Sequence, residues 1–318
     1  MKILIIKMGY SETLDPEISN VTSLGDVLRT TPLLVALKDK YPDSKISWLV
    51  DKAGLPLLKG IELLDRIIIA DEFVPFQLQR EQFDMVINLE KHAGICALAD
   101  SINAWAHYGF RFDVISGKYL AYEKGQDMLE YIKKKNIKAD QILPWQQNLI
   151  MMLGLEWKEQ PYLLGYHPEN NAVNDIGLNY QIGSKWPTKR MPQKNWENIA
   201  DTLTKKGLKI SWQEGHDDLN KYIDWISSCK VILSHDSLGL HLALALKKRV
   251  VGIFGPTDPD EVYFYGLGEG LMSDSCELIK CGFASCKEEN KCMSEFPVNN
   301  IINSIENQLA IGKKNGTV

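Results

Sequence analysis

Between Val231 and Thr257 the chain writes out a strand, a polar turn, a short apolar helix, a second strand and a Gly-Pro turn without a break. Val231-Ile232-Leu233 reads as one strand. Val250-Val251-Gly252-Ile253-Phe254 reads as a buried parallel strand, because a strand covered on both faces is apolar throughout instead of alternating. The stretch from Leu240 to Leu246 is apolar nearly all round and too short to span a bilayer, which predicts a helix pressed against a sheet. The polar turn Ser234-His235-Asp236-Ser237 then falls at the carboxyl end of the first strand, where the next helix begins with unpaired N–H groups. In sheets of this kind a diphosphate docks at that place.

The rest of the chain repeats the alternation. In the first half Ile3–Ile6, Lys45–Val50, Arg66–Ile69 and Asp84–Asn88 are short apolar strands separated by amphipathic stretches, which favours a parallel sheet covered by helices. Asp26–Lys40 carries Val27, Leu28, Leu33, Leu34 and Leu37 at helical spacing and predicts the first crossover helix. Tyr10–Ser23 has no periodic apolar face and reads as a long loop, and the pattern from Lys124 to Gly154 is helical. The polar stretch Glu156–Val173 reads as a linker. After it come a strand at Ile176–Asn179, a helix at Gln193–Lys206, a strand at Lys209–Trp212, a helix at Leu219–Ser227 and a last amphipathic helix at Val298–Leu309. At 318 residues the chain exceeds the size at which single cores stop growing, so two α/β domains are expected, over residues 1–165 and 166–318. The loop from Gly183 to Pro192 then shares a sheet edge with Asp236.

Composition narrows the function classes. Hydrophobic residues at 45% and charged residues at 24% are globular values, and a net charge of −5 argues against broad capture by nucleic acid or an anionic bilayer. Lys133–Lys138 is one basic run, read more simply as a solvated helix end than as a phosphate site. No run of eighteen apolar residues occurs and Met1–Lys7 is a first strand instead of a signal peptide, so the expected location is cytoplasmic with at most peripheral membrane contact. No Gly-x-Gly-x-x-Gly follows the first strand, which disfavours a nicotinamide-dependent dehydrogenase. Cys276, Cys281, Cys286 and Cys292 are spaced more widely than zinc-ribbon pairs; a structural metal and plain reduced thiols both stay open. Cys96 and Cys229 read as small buried residues.

Three segments together give the chain a resemblance. They are Lys2–Lys7 with Ser23-Leu24-Gly25-Asp26-Val27-Leu28-Arg29-Thr30-Thr31-Pro32; Gly177-Leu178-Asn179 with Gly183-Ser184-Lys185-Trp186-Pro187-Thr188-Lys189-Arg190; and Asp236-Ser237 through His241-Leu242-Ala243 to Phe254-Gly255-Pro256-Thr257. With them the chain resembles family 9 glycosyltransferases, the bacterial heptosyltransferase family. The resemblance implies a GT-B architecture of two Rossmann-like domains with an interdomain cleft, the acceptor on the N-terminal side and an ADP-sugar on the C-terminal side. It implies a last helix that returns to the first domain, and inverting transfer of a heptose-type sugar to a hydroxyl of a glycan, glycolipid or protein acceptor at the inner face of the membrane. Asp26 falls on the family's catalytic aspartate; from its place at a helix start alone, it reads as an N-cap. Gly183, Ser184 and Lys189 from one loop, and N–H groups near Ser237 and Gly239 from the other, are implied to hold the departing diphosphate, with no cofactor needed for catalysis. Asp236 is implied to take hydroxyl protons of the donor sugar, against a capping role, and Lys185 and Arg190 are helpers or solvated cations. His241 reads as a core histidine. In related protein heptosyltransferases a cysteine cluster holds iron, which extends the structural-metal reading to iron or zinc. The usual Asp-Ser-Gly-Pro-Met-His becomes Asp236-Ser237-Leu238-Gly239-Leu240-His241, with the glycine moved by one position, and the region after Trp212 is shortened. Two alternatives follow: a nucleotide-sugar epimerase on the same scaffold, and a non-catalytic nucleotide-binding partner subunit.

Overall fold

The computed structural model describes residues 1–10, 21–123, 143–215, 217–276, 280–282, 285–286 and 289–314. Most of the loop expected over Tyr10–Ser23, the N-terminal part of the helical stretch Lys124–Gly154 and the basic run Lys133–Lys138 lie outside the described residues. The chain divides into two units, Met1–Tyr166 and His167–Val318.

In the first unit β1 (Lys2–Ile6) is followed by α1 (Leu24–Leu28), α2 (Pro32–Lys40), β2 (Lys45–Val50), α3 (Leu55–Leu58), β3 (Arg66–Ile69), α4 (Val74–Leu78), β4 (Gln82–Asn88), α5 (Ala93–Ser101), β5 (Asn103–Phe112), β6 (Tyr119–Ala121) and α6 (Trp145–Met152). The strands order as β3-β2-β1-β4-β5-β6, parallel except for the closing hairpin of β5 and β6. Ile3, Leu4, Ile5 and Ile6 are all fully buried, as a central strand covered on both faces requires. The single helix expected over Asp26–Lys40 is two. Thr30 and Thr31 turn their hydroxyls back onto the carbonyls of Asp26 and Leu28, both at 2.8 Å, and Pro32 has no N–H with which to continue the ladder. Pro32 instead opens α2 at the position where its fixed φ suits a helix start.

The second unit runs β7 (Asn174–Asn179), α7 (Gln193–Lys205), β8 (Ile210–Trp212), α8 (Leu219–Ser227), β9 (Cys229–His235), α9 (Leu238–Ala245), β10 (Arg249–Phe254), β11 (Gly268–Met272), α10 (Lys291–Ser294) and α11 (Val298–Lys314). Its all-parallel sheet has the order β11-β10-β9-β7-β8. Trp196, Ile199 and Leu203 of α7 and Ile301, Ile305 and Leu309 of α11 share one core with Ile176, Leu178, Val231, Leu233, Val251 and Ile253 of the strands. The last helix thus spends its apolar face on the sheet of its own unit. Asp218 caps α8 by accepting the N–H groups of Asn220 and Lys221. Both units are Rossmann-like α/β layers, and each sheet reverses its strand order once: between β1 and β4, and between β7 and β9.

Candidate active site

The reversal points decide where to look, because open parallel sheets bind ligands beyond the strand ends on either side of them. In the second unit β7 ends on Asn179 and β9 ends on His235, followed by Asp236. Asn179 is fully buried; its amide donates to Ser234 Oγ at 2.8 Å and Ser237 Oγ at 3.1 Å, and its Oδ1 accepts the Tyr222 hydroxyl at 2.5 Å. Burial pushes the Tyr222 phenol up, so it stays a donor. Gly239 lies in the first turn of α9 against this trio, where a Cβ would collide with Asn179 and with Tyr222 Oη. The displaced glycine of the motif is therefore a packing glycine: it lets the N-terminus of α9 approach the end of β7.

Lys189, on a short 3₁₀ turn at Pro187–Lys189, donates to Asp236 Oδ2 at 2.6 Å and to the Asp236 carbonyl at 3.1 Å. Its Nζ lies 5.3 Å from the centroid of the Trp186 ring. Thr257, beyond β10, donates its hydroxyl to the same Asp236 Oδ2 at 2.7 Å. Burial by itself would raise the Asp236 carboxyl, but Lys189, with His241 and the Thr257 hydroxyl, outweighs it and holds the acid well below the usual carboxylate range. The capping alternative for Asp236 does not hold, since Ser237 occupies the N-cap position of α9 and the carboxylate is committed to Lys189 and Thr257. His235 is fully buried and accepts the Met191 N–H on Nε2 at 3.0 Å; burial, with Lys189 and Arg190 adding to it, depresses its pKa to about 3 and keeps it neutral. It ties the segment after Lys189 and Arg190 to the end of β9. Lys185 is buried, and Gly183, Ser184 and Arg190 lie exposed on the same loop. His241 is buried within α9.

Asp26 belongs to the first unit. It sits in the first turn of α1, where Ser23 takes the N-cap position, and its Oδ1 accepts from Arg29 Nη2 at 2.6 Å. The Arg29 guanidinium lies 4.6 Å from the Trp145 ring centroid. Asp26 is thus an ion-paired acid near a helix N-terminus instead of its cap. At the reversal point between β1 and β4 the sequence reading missed a buried pair: Lys7 Nζ and Glu90 Oε1 are 3.2 Å apart.

The four cysteines of the C-terminal cluster form no disulfide: Cys276 and Cys292 are buried in the core of the second unit, Cys281 is half-buried and Cys286 exposed. Burial, reinforced by the neighbouring Cys276, Cys281 and Cys286, pushes the Cys292 thiol up to about 11. Among the described residues no group of three or more His, Cys, Asp or Glu side chains is arranged to hold a metal ion. No described helix is long and apolar enough to cross a membrane.

With this geometry in hand, known proteins supply a comparison. The family model described as glycosyltransferase family 9 (heptosyltransferase) matches residues 214–289. The chain is 21% identical over 312 residues to lipopolysaccharide heptosyltransferase 1 of Escherichia coli (strain K12), covering 84% of this chain and 91% of that protein. The structure of E. coli ADP-heptose lps heptosyltransferase II superposes with a TM-score of 0.67 at 15% identity, covering 98% of this chain and all of that one. The iron-containing dodecameric glycosyltransferase TibC from enterotoxigenic E. coli H10407 superposes with a TM-score of 0.62 at 11% identity, over 98% of this chain and 76% of that one.

Proposed function

We propose that this chain is a glycosyltransferase of the family 9 kind, and that it moves a heptose-type sugar from an ADP-sugar to a hydroxyl of a glycan, glycolipid or protein acceptor, with inversion. The observation that carries the donor half is the Lys189–Asp236–Thr257 cluster at the reversal point of the second sheet, beside the N-terminus of α9. An ammonium has three N–H donors, and Asp236 takes two of those on Lys189. The third is assigned to the departing diphosphate, together with the opening N–H groups of α9 near Ser237 and Gly239 and the exposed Gly183–Ser184 turn. Asp236 Oδ1 is assigned to a hydroxyl of the donor sugar.

Asp26 is the proposed base. The acceptor oxygen attacks the anomeric carbon and its proton passes to the Asp26 carboxylate. The bond from that carbon to the diphosphate oxygen breaks, and its electron pair leaves with ADP. One displacement gives inversion, and the charge that grows on the diphosphate is met by Lys189 and backbone N–H groups, so no metal takes part in the step. The proposed setting is the cytoplasmic face of a membrane that carries the acceptor. A structural iron or zinc at Cys276, Cys281, Cys286 and Cys292 belongs to the same reading. It is supported by the iron-containing neighbour; among the described residues the thiols do not form a ligand set. About one iron or zinc per purified chain supports it; a metal-free chain rejects it.

A panel of ADP-, UDP- and GDP-sugars, offered with glycan, glycolipid and protein acceptors, tests the function. ADP release coupled to an inverted product from ADP-heptose is the expected outcome. Turnover confined to a donor other than an ADP-sugar overturns it.

A further inference from the structure

Beyond the ends of β1 and β4, at the reversal point of the first sheet, Lys7 is 5% exposed and Glu90 is fully buried. Glu90 Oε1 accepts three donors: Lys7 Nζ at 3.2 Å, the Met8 N–H at 2.7 Å and the Gly9 N–H at 2.8 Å. The backbone of Glu90 is itself fastened, its N–H to Asn88 Oδ1 at 3.1 Å and its carbonyl to Cys96 Sγ at 3.2 Å. Its second oxygen, Oε2, is buried and has no hydrogen-bond partner among the described residues. A half-satisfied buried acid is a poor choice for stability alone, since an apolar pair of similar volume is often as stable as a buried ion pair.

What the pair does is fix a turn. Gly9 has φ +96°, and a Cβ there would fall 2.9 Å from Thr22 Cγ2, 3.0 Å from the Ser23 carbonyl and 3.2 Å from Val27 Cγ2. The Gly9 carbonyl accepts the Ser23 N–H at 2.7 Å, and the Ser23 carbonyl accepts the Asp26 N–H at 3.0 Å. A continuous path of short bonds thus runs from Glu90 through the Met8–Gly9 turn to the helix start that carries Asp26.

We propose that Glu90, neutralised by Lys7, is a positioning residue of the transferase: it clamps the Met8–Gly9 turn, and through that turn it sets the Asp26 carboxylate. The proposal rests on the reading of Asp26 as base. It does not place Glu90 against substrate, since the side chain is fully buried.

Three variants test it: Glu90→Ala, which removes charge and acceptor; Glu90→Gln, which keeps an acceptor oxygen; and the double variant Lys7→Met/Glu90→Leu, which leaves no buried charge to unfold the core. Each is measured for kcat, for KM toward ADP-heptose, for thermal midpoint and for hydrogen exchange of the amides of residues 23–29. Glu90→Ala is expected to lower kcat about 30-fold or more, with donor KM within about twofold, because small misplacements of a base cost rate before they cost donor binding. Exchange at residues 23–29 should rise about tenfold, and Glu90→Gln should recover most of both losses. The double variant should fold with a midpoint lowered by the two turn N–H groups it leaves without an acceptor, and show the low kcat of Glu90→Ala. A folded double variant with wild-type kcat and wild-type exchange overturns the proposal. Exchange needs no turnover, so faster exchange beside a fully active Asp26→Asn would keep the clamp and refute the base.

Discussion

Lys189 and Asp236 form a pair whose free energy depends on pH in a defined direction. The folded-state pKa of Asp236 is depressed below its unfolded value, so its contribution is complete above the unfolded carboxylate pKa of about 4 and is lost as pH falls toward the folded value. Denaturation of wild type and Asp236→Asn across pH should therefore show a gap of about 2 kcal/mol from pH 5 upward that narrows below about pH 4. A gap independent of pH would contradict the pairing. The loops that carry Lys189 and Asp236 are legible in the strand-turn-helix pattern, while the choice of Lys189 within its loop comes from the family resemblance. Thr257, Tyr222 and Glu90 are not legible. Each acquires its meaning from a partner 21, 43 or 82 positions away, and no local pattern announces that.

Elements explain why the motif tolerates a displaced glycine. α9 packs between α8 and the strands β9 and β10, and its first turn touches Asn179 and Tyr222 only because position 239 has no side chain. Gly239→Ala should force Asn179 and Tyr222 apart at a cost of about 1–3 kcal/mol, and should weaken ADP binding by shifting the N–H groups that open α9. Denaturation and ADP titration check both; unchanged ADP affinity would separate α9 from the donor site. Element types with strong patterns are readable in the sequence: β2, β3 and α8 occur at the expected residues. The break between α1 and α2 follows from Thr30, Thr31 and Pro32, whose competing hydrogen bonds and missing N–H outweigh the apolar periodicity across them. β5 carries a half-buried mixture of residues, and β11 is rich in glycine, so neither has the apolar run that betrays a central strand.

For the molecule as a whole, two sheets with one reversal point each divide the proposed chemistry: the proposed base belongs to the first unit and the proposed diphosphate cradle to the second. With a net charge of −5, the proposed capture of an anionic donor is a local matter for Lys189 and the helix start, not a property of the overall field. The most direct test of this account is the kcat of Asp26→Asn with ADP-heptose and the acceptor that the panel identifies, measured beside the Kd for ADP. The account predicts a fall in kcat of about 10²- to 10⁴-fold with the ADP Kd within about twofold of wild type. A variant that turns over at the wild-type rate would contradict it.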